Sequence, residues 1–172
     1  MNEIELKVLD INIETTVDKL YGLGAQKTFA GEVQIVTFDF PKPLDKKGRI
    51  LRVRKMGDSV ELCFKGKVDE TQQKVKVREE IEVTTNSFEN TINLFEALGF
   101  QVSYEGKKYR ESYILGKAKF DIDVVPNLPP FLEIEAPTKE EVVGYVTKLG
   151  FTMKQTSILS ARQLEKYYQE KK

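Results

Sequence analysis

From Glu3 to Val8 the chain alternates without a break, Glu-Ile-Glu-Leu-Lys-Val, charged at odd positions and aliphatic at even ones. A period of two sends alternate side chains to opposite faces of an extended strand, so this segment predicts a half-buried β-strand. The same alternation returns at 51–54, 61–65, 77–83, 120–124 and 132–135. "QIVTFDF" from Gln34 and "YEGKKYRESYIL" from Tyr104 also read as strands, giving about eight.

Helical patterns interrupt the strands at 15–23, 87–98 and 138–149, each ending in Leu-Gly, the usual left-handed stop. Thr138 with Glu141, and Ser160 with Gln163, have capping-box spacing. A last helix from Ala161 carries Leu164, Tyr167 and Tyr168; the two tyrosines are expected to pack it, the alternative being that they help close one mouth of a tunnel. Glu-Ile-Glu occurs three times, at Glu3, Glu80 and Glu133. Each copy lies shortly before a helix, a Leu-Gly stop and a new strand, as in a quasi-symmetric architecture. "PKPLDKKG" at 41–48 and "VPNLPP" at 125–130 read as loops, and no interdomain linker is visible. The expectation is one domain over 1–172.

Alternation also sorts the residues by face. Ile4, Leu6, Val8, Leu51, Val53, Leu62, Phe64, Ile81, Val83, Ile122, Val124, Leu132 and Ile134 form an apolar face for the helices to cover. The other face carries Glu3, Glu5, Lys7, Arg52, Arg54, Lys65, Arg78, Glu80, Glu82, Lys108, Arg110, Asp121, Asp123, Glu133 and Glu135. Any one of these strands is expected to show a solvated, ion-paired face. The whole set is too purely charged for that, since solvated sheet faces mix in Thr, Ser and Gln. Eight antiparallel strands can close and turn such a face inward. A charged interior must then be wet, mutually paired, or built for a highly charged ligand.

Both signs together describe that ligand. Converging Arg and Lys suit phosphate oxygens. Carboxylates two apart on one strand point the same way, roughly 6.5–7 Å apart. Oxygen donors of this kind suit Mg²⁺ or Mn²⁺. Lys+Arg and Asp+Glu are both 27, so no basic excess points to nucleic acid. The chain has no histidine, which removes histidine bases and histidine metal sites. Its one cysteine, Cys63, excludes an internal disulfide and fits a reducing compartment. No signal peptide or membrane-length apolar run is present, so a cytoplasmic protein without membrane or nucleic-acid partners is expected, as monomer or homodimer.

The ordered motifs match a known family. "EIELK" gives Glu3, Glu5 and Lys7; "LRVR" gives Arg52 and Arg54; "LCFKG" gives Lys65. "VREEIEV" gives Arg78, Glu80 and Glu82, and "KKYRESY" gives Lys108 and Arg110. "DIDVV" gives Asp123, and "FLEIE" gives Glu133 and Glu135. In this order the chain resembles the CYTH superfamily, the triphosphate tunnel metalloenzymes that include class IV adenylyl cyclase and thiamine triphosphatase. The resemblance implies an α+β fold, an eight-stranded antiparallel closed β-barrel with helices packed outside. It implies Glu3, Glu5, Asp123, Glu133 and Glu135 as metal ligands for Mg²⁺ or Mn²⁺. Lys7, Arg52, Arg54, Lys65, Arg78, Lys108 and Arg110 would bind phosphate, with Glu80 and Glu82 orienting those cations or helping to bind metal. Glu3, Glu5 and Lys7 would form the catalytic strand.

Two features depart from the family pattern: "PNLPPF" replaces the Gly-rich turn of cyclase-like members, and Cys63 stands where Thr is common. The implied activity is metal-dependent hydrolysis of inorganic tripolyphosphate or of a nucleoside or thiamine triphosphate. The alternatives are a class IV adenylyl cyclase and a non-catalytic binder of polyphosphate or nucleotides. Asp121 is expected to be structural, Cys63 a wall residue without nucleophilic function, and Lys67 a solvent-facing loop lysine.

Overall fold

The computed structural model describes residues 2–41, 48–71 and 74–170. The element order is β1 (Asn2–Val8), α1 (Ile13–Gly22), β2 (Gln26–Asp39), β3 (Ile50–Met56), β4 (Ser59–Val68) and β5 (Lys76–Thr85). It continues with α2 (Phe88–Ala97), β6 (Gln101–Leu115), β7 (Ala118–Val124), β8 (Phe131–Glu135), α3 (Lys139–Lys148), β9 (Thr156–Ser157) and α4 (Ala161–Gln169). Hydrogen-bonded strands follow the order β5-β4-β3-β2-β6-β7-β8-β1-β9, and β5 also pairs with β1. The fold is thus the expected α+β class, a closed eight-stranded antiparallel β-barrel with helices.

The differences from the sequence reading are local. β9 was not anticipated; its two residues pair with Lys7 and Val8. β2 begins at Gln26 rather than Gln34, and Lys67 lies in β4 rather than a loop, though exposed as expected. The 125–130 segment is a loop as read, whereas 42–47 of the other expected loop lie outside the described residues.

The three Leu-Gly stops are Schellman closures. Ala25 N–H reaches Leu20 O at 3.0 Å, Phe100 N–H reaches Phe95 O at 3.0 Å, and Phe151 N–H reaches Val146 O at 3.0 Å. Gly24, Gly99 and Gly150 take the left-handed φ of 87°, 88° and 73° that this closure requires. At the other ends, Asn12 and Ser87 accept from the third residue on, while Thr138 and Ser160 form the expected capping boxes.

The chain divides into two compact units: 1–2, 31–69 and 78–107 form the first, and 3–30, 70–77 and 108–172 the second. In the first, α2 lays Phe88, Ile92 and Phe95 on a core of Val36, Phe38, Leu51, Val53 and Val60. In the second, Leu20 of α1 and Val142 and Val146 of α3 cover Leu6, Val8, Phe120, Ile122, Leu132 and Ile134. Truncating a fully buried aromatic such as Phe120 to alanine costs about 3–5 kcal/mol. The apolar face is not covered everywhere: Ile81 and Val83, expected in the core, are half exposed. Among the described residues no helix is long and apolar enough to cross a membrane.

Candidate active site

In the second unit the charged faces of β1, β6, β7 and β8 meet through register. Glu5 stands opposite Glu135 and Lys7 opposite Glu133. Asp121 stands opposite Glu133, and Arg110 opposite Asp123. Lys7 Nζ lies 2.6 Å from Glu133 Oε2 and 3.6 Å from Glu5 Oε1. Glu5 Oε1 also accepts from Lys76 Nζ at 2.6 Å. Arg110 donates from Nε to Asp123 Oδ1 at 2.7 Å and from Nη2 to Asp123 Oδ2 at 2.6 Å. It also donates to Asp121 and lies 3.6 Å from Glu133 Oε1. Lys108 Nζ donates to Asp123 Oδ2 at 2.7 Å.

These groups are removed from water: Glu3, Glu5, Lys7, Lys76, Arg110 and Asp123 are all buried. Charge at that depth persists only when paired, and it is paired here. Burial disfavours the Lys7 ammonium, but Glu133 and Glu5 outweigh it and raise its pKa. Burial disfavours the Glu133 and Asp123 carboxylates too. Lys7 outweighs that for Glu133, and Arg110 for Asp123, holding both below the usual carboxylate range. Lys108 goes the other way, because burial and then the Arg110 charge bring it down to about 8.

The first unit carries its own charged ladder. Arg52 stands opposite Cys63, Arg54 opposite Glu61, Cys63 opposite Glu82 and Lys65 opposite Glu80. Arg54 Nε donates to Glu61 Oε2 at 2.8 Å and Nη2 to Glu82 Oε1 at 3.2 Å. Lys65 Nζ lies 3.1 Å from Glu80 Oε1, which also accepts from Cys63 Sγ at 2.9 Å. Burial pushes the Cys63 thiol up to about 12, which favours its protonated form. A register shift between Lys65 and Val68 sets Arg78 opposite Val68. A Cβ added at Gly66 there would lie 3.2 Å from Glu79 Cβ, a tight contact that Glu79 would have to give way to.

Two residues were missed from the sequence, Lys76 and Glu61. Both sit on the charged period: Lys76 precedes Arg78 by two, and Glu61 precedes Cys63 by two. Asp121, expected to be structural, receives the Arg110 guanidinium.

The donors fit a hard divalent cation in kind, being carboxylate oxygens. Their present partners differ. Both Asp123 oxygens are engaged by Arg110 and Lys108, whereas Glu5 is held by Lys76 and Lys7, and Glu133 by Lys7 with Arg110 3.6 Å away. The five expected metal ligands do not close on one point. Among the described residues, the trio of donors lying within 4.8 Å of one another is Cys63, Glu80 and Glu82.

The family model of the CYTH domain matches residues 1–168, and the chain belongs to this family. It is similar to the PH1012 protein of Pyrococcus horikoshii, with 28% identity and a TM-score of 0.77 over 94% of this chain and 98% of that one. The fold is also that of a Vibrio parahaemolyticus protein provisionally called an adenylate cyclase, with a TM-score of 0.81 at 16% identity over 94% and 96% of the two chains. A Hippeastrum protein, HpAC1, first assigned as an adenylyl cyclase and described as having a dominant triphosphatase activity, shares the fold at 14% identity, with a TM-score of 0.66 over 96% of each chain. No curated protein sequence matches the chain.

Proposed function

We propose that the chain is a divalent-metal-dependent hydrolase of a triphosphate-containing substrate, either inorganic tripolyphosphate or a nucleoside or thiamine triphosphate. The observation that carries this reading is the position of Lys7. Its buried ammonium bridges Glu133 and Glu5 on the face that Arg110, Lys108 and Lys76 also supply with positive charge. Phosphate oxygens can take over these cations, and the carboxylates thereby freed become available to other partners.

Phosphoryl transfer requires little covalent help from the protein and much positioning and charge neutralisation. Lys7 and Arg110 would hold the terminal phosphoryl group, Arg110 by its planar fork and Lys7 as a point charge. Asp123 would fix Arg110 and Lys108 in place. Arg52, Arg54, Lys65 and Arg78 are the first unit's phosphate-binding cations on this reading, with Glu80, Glu82 and Glu61 orienting them. Glu3, Glu5, Glu133 and Glu135 would hold Mg²⁺ or Mn²⁺, which would supply neutralisation of phosphate charge. Glu5 would also accept a hydrogen bond from the water that attacks in line.

Phosphorus NMR on tripolyphosphate and on ATP, with Mg²⁺ or Mn²⁺ and with chelator, tests the reading. Orthophosphate formed only with metal supports it. Pyrophosphate with a cyclic phosphodiester signal from ATP would replace it with the class IV cyclase reaction. Glu5→Gln is expected to abolish turnover while only weakening binding, and an active Glu5→Gln variant would remove Glu5 from the mechanism.

A further inference from the structure

Two rows of apolar side chains cross the first unit's sheet through register. Phe38 stands opposite Leu51, Leu51 opposite Phe64, and Phe64 opposite Ile81. Two residues along the strands, Val36 stands opposite Val53, Val53 opposite Leu62, and Leu62 opposite Val83. In both rows burial fades from β2 to β5. Phe38, Leu51, Val36 and Val53 are buried, Leu62 and Phe64 are partly buried, and Ile81 and Val83 are 52% and 50% exposed. The sheet stays apolar for one strand beyond the reach of its helix.

The helix borders this bare strand with more apolar surface. Phe88, Ile92 and Phe95 form the stripe of α2 that packs on the core. Thr91, Leu94 and Leu98, spaced by three and four, form the neighbouring stripe, with Leu98 at the C-cap. Thr91 Oγ1 lies 2.9 Å from Thr85 Oγ1, so this second stripe is the one turned toward β5. The Phe95 ring centre lies 5.4 Å from that of Phe38, which sets the end of α2 level with the Ile81 row. Leu94 and Leu98, 58% and 60% exposed, therefore overlook Val83 and Ile81. Five large apolar side chains are at least half exposed among the described residues, and these are four of them; the fifth, Tyr21, lies on α1.

Together the strand and the helix flank make a step, with Ile81 and Val83 as its floor and the two leucines as its wall. The step carries little charge. The acidic residues of α2, Glu89 and Glu96, lie on its other flank, and Asn90, one turn before Leu94, is exposed at the rim. On β5 the one charge of the same parity is Glu79, at the end away from Thr85.

We infer that this step is the contact face of a homodimer. A second copy related by a two-fold axis sets its leucine wall on the strand floor of the first and receives the same in return. A neutral apolar step offers nothing to a basic or an acidic partner, whereas it complements itself, as an isologous contact requires. The four side chains leave roughly 400 Å² of apolar surface open, about half of one partner's share in a standard interface, and the polar rim supplies the rest. Ile81 and Val83 alternate with Glu80 and Glu82, so the contact braces the strand whose other face meets Lys65 and Arg54.

Sedimentation velocity on the full chain, from about 1 to 100 µM, is expected to show a reversible dimer with a Kd on the order of 10 µM or tighter. Leu94→Lys is expected to weaken association about 100-fold, because it buries an unpaired charge in the contact. Val83→Thr, which keeps a branched strand side chain, is expected to weaken it about tenfold. Glu96→Lys, on the opposite flank of the same helix, is expected to leave it unchanged. All three positions are exposed, so urea midpoints matching the parent check that each variant is folded.

A monomer at about 100 µM would overturn the inference and leave the step to a partner of another kind. A dimer that survives both Leu94→Lys and Val83→Thr in folded protein would overturn it by placing the contact elsewhere. Dissociation by Glu96→Lys as complete as that by Leu94→Lys would overturn the assignment to this flank.

Discussion

Lys76 Nζ lies 2.6 Å from Glu5 Oε1, with both side chains almost fully buried, so a lysine from β5 holds a carboxylate of the first strand. Removing one partner of a buried pair leaves the other charge uncompensated. Lys76→Met is expected to destabilise the protein by about 3 kcal/mol. Lys76→Met with Glu5→Gln is expected to cost less than the sum of the two single changes by about 1 kcal/mol or more. Urea unfolding of the four proteins reads this directly, and additive effects would mean that the pair contributes nothing.

Lys108 ties phosphate binding to mildly alkaline pH. Its pKa of about 8 means that one positive charge leaves the site as pH rises from 7 to 9. The KM for tripolyphosphate is expected to rise over that range, and Lys108→Gln should flatten the limb while raising KM at pH 7. Stability has the opposite sign. The folded pKa lies below the ordinary 10.5, so between about 8 and 10.5 the unfolded chain binds more protons and this group makes the folded state more stable as pH rises. A KM limb that persists in Lys108→Gln would assign it to another group.

Acid acts through Glu133 and Asp123. Both folded pKa values lie below their ordinary 4.5 and 3.8, because Lys7 and Arg110 favour the charged forms over the opposing effect of burial. The stability they contribute is complete above those ordinary values and is lost as pH falls through the folded ones. Denaturant midpoints measured from pH 6 to pH 2 are expected to fall steeply, and Glu133→Gln should make the slope shallower. An identical slope in the variant would count against the Lys7–Glu133 pair as a source of stability.

Cys63 is expected to be inert. Its thiol is buried, donates to Glu80 Oε1, and is pushed up to about 12. At pH 8 an aromatic disulfide reagent should modify the folded protein about 100-fold more slowly than the protein in guanidinium. Equal rates would show that the wall around Cys63 opens freely.

The period-two pattern made the strands and their two faces legible, because side-chain direction in a strand depends only on parity. It did not say which face is drier. Ile81 and Val83 are half exposed, while Arg78 on the opposite parity is buried, since coverage depends on where α2 packs. Lys76 was missed because the strand was read as beginning at Val77, one residue late. Arg54 does pair with Glu82, but Glu61 takes most of that guanidinium through a cross-strand register that sequence spacing does not encode. Helix ends were the most legible feature, because Leu-Gly closures and capping boxes are local chemistry. A buried cluster of Val125, Leu128, Phe131 and Leu164 was invisible, since it joins a turn to a helix that begins thirty residues later.

The direction of β1 has a practical side. The strand begins at Asn2, three residues before the Glu5–Glu135 pairing, and finishes at Val8 against Leu132. An affinity tag fused ahead of Asn2 runs directly into the strand that carries Glu3, Glu5 and Lys7, where a flexible acidic or polyhistidine tail competes with substrate or captures metal. A tag placed after α4 is joined to a helix that carries none of the expected site residues. The same protein purified in the two formats is expected to give different apparent metal requirements, and the C-terminal format is the one to assay.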